Sequence, residues 1–188
     1  DLSEGKPMPI RTFHKWRIAV EEMFGLVIEN EHGGSYRYYI ENEEELALLG
    51  YKVTNGTNYA GKVVVLNRDL DLSEYAWTPM GYQYETTTPN EVWGWDHVHV
   101  LQGFRGSFDG RWHTIRGLFV NHSGNEAGLF GCIVGHYIDF QYNEIRNLNI
   151  IDADVHGQDH VGILSGYTYS CVIIKNVMTQ GRVSGNHD

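Results

Sequence analysis

The sequence predicts an all-β fold: a right-handed parallel β-helix with a small N-terminal α/β cap. Three observations carry that expectation. A six-residue phrase, Ile115-Arg116-Gly117-Leu118-Phe119-Val120, returns as Ile145-Arg146-Asn147-Leu148-Asn149-Ile150 and as Ile174-Lys175-Asn176-Val177-Met178-Thr179, at spacings of 30 and 29 residues. A fixed period of that length marks a stacked array. The segments between turns are short, rich in Val, Ile, Leu, Phe and Tyr, and mix polar with apolar residues without a helical period. The third position of the phrase is Gly117, Asn147 and Asn176. Gly and Asn most readily take positive φ, so a left-handed corner belongs there.

The elements follow in chain order. Residues 1–59 read as an N-terminal segment and capping region, and 60–188 as the coils. Phe13, Trp16, Val20, Met23 and Phe24 recur at helical spacing, which predicts a short amphipathic helix over 13–24. Segments 26–31 and 35–40 suit a hairpin over His32-Gly33-Gly34. Asn42 offers an N-cap, followed by Glu43, Glu44 and Glu45, where the helix dipole favours negative charge. With Leu46, Leu48 and Leu49 behind them, this second helix is expected to cover the open end of the first coil. A solenoid needs such a cap, because its terminal strands otherwise expose backbone and a bare apolar layer.

In the coils, a left-handed corner shifts the phase of the alternation. Ile145 and Leu148 then both point inward, with Arg146 and Asn149 toward solvent. Like stacks on like, so Ile115, Ile145 and Ile174 form one expected buried column, and Leu118, Leu148 and Val177 the next. The repeat stops at Gly185-Asn186-His187-Asp188, a turn phrase without a cap signal. The expectation is a fragment of a longer array with further coils or a domain C-terminal; the alternative is a separate subunit over that end.

A resemblance sits on these residues. Gly128-Leu129-Phe130-Gly131 and Val161-Gly162-Ile163-Leu164-Ser165-Gly166 resemble the GLUG motif of bacterial surface proteins, a motif also found in IgA-peptidase-type proteins. Upstream blocks fit the same group: Ala60-Gly61-Lys62-Val63-Val64-Val65-Leu66, Asp69-Leu70-Asp71-Leu72-Ser73, Trp77-Thr78-Pro79-Met80-Gly81, Phe104-Arg105-Gly106-Ser107-Phe108-Asp109-Gly110 and His113-Thr114-Ile115. The likeness covers roughly 36–188. It implies an adhesin-like β-helix, extracellular or on a bacterial cell surface, with no shared catalytic set.

Composition agrees with that placement. Lys and Arg total 14 against 24 Asp and Glu, a net charge of −10, which argues against nucleic acid or an anionic membrane as partner. The 12 Tyr and 5 Trp are many for a chain of modest hydrophobicity, so rings are expected at the surface as well as inside. No apolar run reaches the roughly 18–20 residues of a membrane span. No signal-peptide pattern is present, and a start at Asp1 fits a leader already removed. Cys132 and Cys171 sit at different offsets from Gly128 and Gly162, so stacking does not pair them. Both are expected as free, buried thiols.

The longest departure from the repeat pattern, 82–100, is where a ligand site is expected, since long loops on rigid scaffolds carry binding residues. Tyr82, Tyr84, Trp93, Trp95 and Asp96 are the candidate binding residues. Flat rings pack on the C–H faces of a sugar while polar neighbours take its hydroxyls. The competing reading is that Trp93 and Trp95 pack the insertion onto the coil. His97 and His99 share a strand face beside Asp96, yet two imidazoles are too few for a closed metal site. Asp152, Asp154, His156, Asp159 and His160 form a second polar cluster, in turns where Asp is common anyway. Asp69 and Asp71 flank inward Leu70 and Leu72 and read as solvated. HExxH, GxSxG and GxxxxGK[ST] patterns are missing, and neither a cofactor nor a metal is expected.

Three functions stay open: a non-catalytic surface module for adhesion or glycan contact, a polysaccharide-active enzyme (lyase or glycosidase), and a structural stalk. The first is favoured, with a glycan or host-surface ligand as partner.

Overall fold

Asn42 starts the best-defined local element. In a computed structural model, residues 27–30, 36–90, 94–135 and 142–186 are described, with side chains over 37–84, 101–135 and 142–186. Asn42 has extended backbone angles, and its side chain accepts the Glu45 N–H at 2.9 Å. Glu45 reaches back to the Glu41 N–H. The first bond satisfies a donor that a helix start leaves orphaned, and the second ties the residue before the N-cap to the first turn. Helix α1, Glu43–Thr54, keeps its three glutamates in the first turn and buries Leu46, Leu49 and Val53. Those side chains join Ile40, Leu66 and Met80 in one core cluster. A helix is therefore present where the sequence predicts one, and it packs on the core. The helix expected over 13–24 lies outside the described residues.

Strands make up most of the remainder. β1 (Val27–Asn30) and β2 (Tyr36–Ile40) pair antiparallel, as the hairpin reading requires, while their connection lies outside the described residues. β2 then pairs in parallel with β3 (Val63–Leu66), so the stack already includes part of the expected cap. β4 (Leu70–Asp71) follows. β5 (Tyr82–Asn90) and β6 (Gly94–Gln102) form a separate antiparallel pair. Then come β7 (Ser107–Asp109), β8 (Thr114–Arg116), β9 (Phe119–Asn121) and β10 (Phe130–Val134). β11 (Asn143–Gly157), β12 (Ser165–Tyr169) and β13 (Val172–Gly185) complete the described strands.

Parallel pairing aligns these strands in ladders. Tyr38, Val64, Phe108, Ile145 and Ile174 are successive partners in the first. Leu70, Ile115, Ile150 and Thr179 form the second. Val120, Val155 and Val183 lie in the third. On a further side β10 pairs in parallel with β12, and Met80 bridges to Phe130. One core runs through the ladders, with Val64, Phe108, Ile115, Ile145, Leu148, Ile150, Val120 and Val155 all buried. The architecture is thus predominantly β, with stacked parallel strands, as the repeat predicts.

Gly128 and Gly131 have a packing role. A Cβ on Gly128 would overlap the carbonyl oxygen of Gly162, and one on Gly131 would overlap that of Gly81. Adjacent layers approach at these points more closely than any side chain permits.

The register corrects one expectation. Gly117, Asn147 and Asn176 all have positive φ, at 69°, 53° and 54°. Asn147 and Asn176 stack, and the Asn176 amide donates to Asn147 Oδ1 at 3.0 Å. Gly117 is not in that column. Ile115 pairs with Ile150, not Ile145, which brings Gly117 level with Asp152, itself at φ 53°. The residue above Ile145 is Phe108, and the side chain that meets Asn147 from that layer is Asp109. Each layer has more than one left-handed corner. The phrase Ile-x-(Gly or Asn)-x therefore marks more than one kind of corner, and its first copy belongs to a different corner from the other two.

Two further expectations change. Ile174 is 48% exposed and Val177 only partly buried, because β13 pairs with β11 alone among the described strands and its layer is covered from one side. Cys132 is buried, as expected, but Cys171 is only half-buried. Both thiols are free. Cys132 stacks on Tyr167, and burial together with the Glu126 charge pushes its pKa up to about 12.

Candidate functional site

The 82–100 segment is not a loop. Tyr82 to Asn90 alternates aromatic, polar and β-branched residues, and it pairs residue for residue with Gly94 to Gln102. The result is a two-stranded antiparallel ribbon, which period-2 alternation on both arms favours. Gln83 anchors it: its side-chain amide donates to Glu126 Oε1 at 3.0 Å. Gln102 does likewise, donating to the Val53 carbonyl at 3.1 Å. Glu126 is buried, and His160 Nδ1 lies 3.6 Å from the same carboxylate oxygen.

Tyr82 and Tyr84 occupy the opposite alternation from Gln83. Their rings stack at 5.9 Å with 26° between planes, and they are 38% and 48% exposed. Two candidate residues thus form one exposed aromatic step at the base of the ribbon. Asp96 pairs with Thr88 and falls in the register alternation of the two tyrosines, whereas Trp95 pairs with Pro89 in the other. The side chains of Trp95 and Asp96, and Trp93 as a whole, lie outside the described residues, as do those of His97 and His99.

The second polar cluster resolves into separate contacts. Asp152 takes Arg116. His156 bridges two groups on the outer sheet face, with Nδ1 at 2.5 Å from Ser184 Oγ and Nε2 at 3.1 Å from Asp154 Oδ1. His160 belongs to Glu126 and to the Tyr167 ring. Among the described residues no three His, Cys, Asp or Glu side chains converge as a metal site. His156 and Ser184 are a cross-strand pair of the ordinary kind, whereas Asp154 lies two residues back on the same strand with Oδ1 buried and outside hydrogen-bond geometry. Asp69 and Asp71 are exposed, as expected. Asp69 nevertheless accepts the Thr114 N–H at 2.8 Å and meets His113, and these contacts hold its carboxyl below the usual range.

The sequence reading missed a cleft between α1 and the chain after β4. It has a volume of about 320 Å³, at the lower end for ligand pockets. Tyr51 and Tyr75 contribute to its lining and are 67% and 46% exposed, while Trp77 is buried at its floor with Nε1 donating to the Leu129 carbonyl at 3.0 Å. Glu43 and Glu44 also line it. Glu43 Oε1 is fixed by the Asp71 N–H at 2.9 Å. The available signal was Tyr51 on the helix face opposite Leu46, Leu49 and Val53, where an aromatic ring has no core to fill.

No protein-family model matches the chain, and no solved structure matches it. No helix among the described residues is long and apolar enough to cross a membrane. The chain is similar to Halomucin of Haloquadratum walsbyi, at 37% identity over 86 residues; that stretch is 45% of this chain and 1% of Halomucin.

Proposed function

We propose that this chain is a non-catalytic stretch of right-handed parallel β-helix, secreted or displayed at a cell surface, that contacts glycans through its tyrosine-bearing ribbon. The observation that carries the reading is the stacked, exposed Tyr82–Tyr84 pair on a ribbon anchored through Gln83 to buried Glu126. A rigid ring pair loses little conformational entropy on binding and presents a flat apolar face to a sugar. Three things support the solenoid part: the parallel ladders, the Asn147–Asn176 corner stack and the GLUG-like glycines at the layer contacts. Similarity over 86 residues to Halomucin supports the surface placement. The matched organism is Haloquadratum walsbyi, so a bacterial origin is not part of the proposal.

A glycan array with wild type and Tyr84→Ala tests this. Binding should be weak and insensitive to salt, because ring stacking and neutral hydrogen bonds carry it. Tyr84→Ala should remove it while the melting temperature stays within about 2 °C, the range for an exposed side chain. Absence of any glycan ligand favours the stalk. Release of cleaved saccharide or ester products that depends on His156 would replace the reading with an enzyme.

A further inference from the structure

The α1 cleft differs in chemistry from the ribbon. Its walls include two exposed tyrosines, its floor a tryptophan, and its polar charge comes from Glu43 and Glu44. Among the described residues no Lys, Arg or His lines it. Ala47 also lines the cleft, with a side chain too small to fill it. Rings carry negative potential on their faces, so several rings around one space attract a cation, and nearby carboxylates add to that field. Both carboxylates would repel an anionic ligand. Arg111 over Tyr39, at 5.3 Å, shows the same cation-on-ring contact elsewhere in this chain.

We propose that this cleft binds an alkylammonium group, with a quaternary trimethylammonium headgroup as the best-fitting ligand. Tyr51, Tyr75 and Trp77 supply the aromatic walls. Glu43, held by the Asp71 N–H, and solvent-facing Glu44 supply the countercharge. A quaternary nitrogen has no N–H to satisfy, so a cleft dominated by apolar lining desolvates it at less cost than a primary ammonium. The site is independent of the ribbon.

Titration calorimetry of the intact chain with choline at low salt tests this, alongside 3,3-dimethylbutan-1-ol, the uncharged compound of the same shape. Choline should bind about tenfold or more tightly than the alcohol, the ratio expected from a partly desolvated cation–ring contact. Tyr51→Ala and Tyr75→Ala should each weaken choline by about three- to tenfold. Both side chains are exposed, and unchanged far-UV spectra verify that the variants fold. Glu44→Gln should weaken choline and flatten its salt dependence. Tyr84→Ala should leave choline binding intact, which separates this site from the glycan reading. Equal affinity for choline and the alcohol overturns the proposal. So does choline binding that the Tyr51, Tyr75 and Glu44 substitutions leave unchanged, or no heat at about 50 mM choline, beyond the weakest range of specific sites.

Discussion

Replacing Asn147 with Val probes the corner that the repeat depends on. Asn147 sits at φ 53°, its amide donates to Asp109 Oδ1 at 3.1 Å, and its Oδ1 accepts from Asn176 at 3.0 Å. Valine meets two costs there. A left-handed conformation costs an L-residue about 1–2 kcal/mol, and β-branching places Val at the upper end. Loss of two partly solvated hydrogen bonds adds about 0.5–1 kcal/mol each, the lower part of the usual range. The expected total is about 2–4 kcal/mol, or a drop of roughly 5–15 °C in melting temperature for a domain of this size. Asn147→Gly separates the two terms. Glycine accepts the dihedral angles and loses the same bonds, so about 1–2 kcal/mol is expected. Urea denaturation followed by circular dichroism measures both. If the Val and Gly variants agree within about 0.5 kcal/mol, no strain is stored at this corner and the reasoning fails. If both match wild type, the side-chain ladder contributes nothing.

Further outcomes follow from the same geometry. Ile145→Ala should cost about 2–5 kcal/mol, whereas Ile174→Ala, half-exposed one layer on, should cost less than about 1 kcal/mol; equal losses in urea melts would contradict one-sided cover of β13. Asp109 responds first to burial, which raises its pKa, but the Arg111 N–H, the Asn147 amide and the Arg146 guanidinium outweigh that and leave it below the ordinary value. Its folded pKa is depressed, so its stabilisation is present above the unfolded value near about 4 and is lost as pH falls through the folded one. Asp109→Asn should therefore flatten the acid limb of a stability–pH profile below about pH 5, and an unchanged limb would refute this. Cys171 should react with a disulfide reagent at pH 8 in the folded chain. Cys132, buried and titrating at about 12, should react only on unfolding; prompt labelling of both thiols would contradict its burial.

Strand content, the Asn42-capped helix and the left-handed corners were legible because each rests on local physics. Side-chain capping, alternation of period two and the φ preferences of Gly and Asn all act within a few residues. Register was not legible. Ile115-Arg116-Gly117 and Ile145-Arg146-Asn147 share a phrase because both turn a corner inward, and only the ladders distinguish Ile115 on Ile150 from Phe108 on Ile145. The candidate site divides in the same way. Tyr82 and Tyr84 were visible as aromatic residues in a break of the repeat, but that this break is a strand, and so puts both rings on one face, was decided by the antiparallel pairing of β5 with β6.

The sequence by itself determined that this chain is strand-built with one N-capped helix, since those properties follow from each residue and its nearest neighbours. Only the tertiary structure decided which corner stacks on which, and that Ile174 stays half-exposed where Ile145 is buried. It alone brought Tyr51 from α1 and Tyr75 from beyond β4 around one cleft. Those outcomes depend on contacts between layers distant in sequence, where burial and the close approach of Gly128 and Gly131 to their neighbours select one register among several that local preference allows.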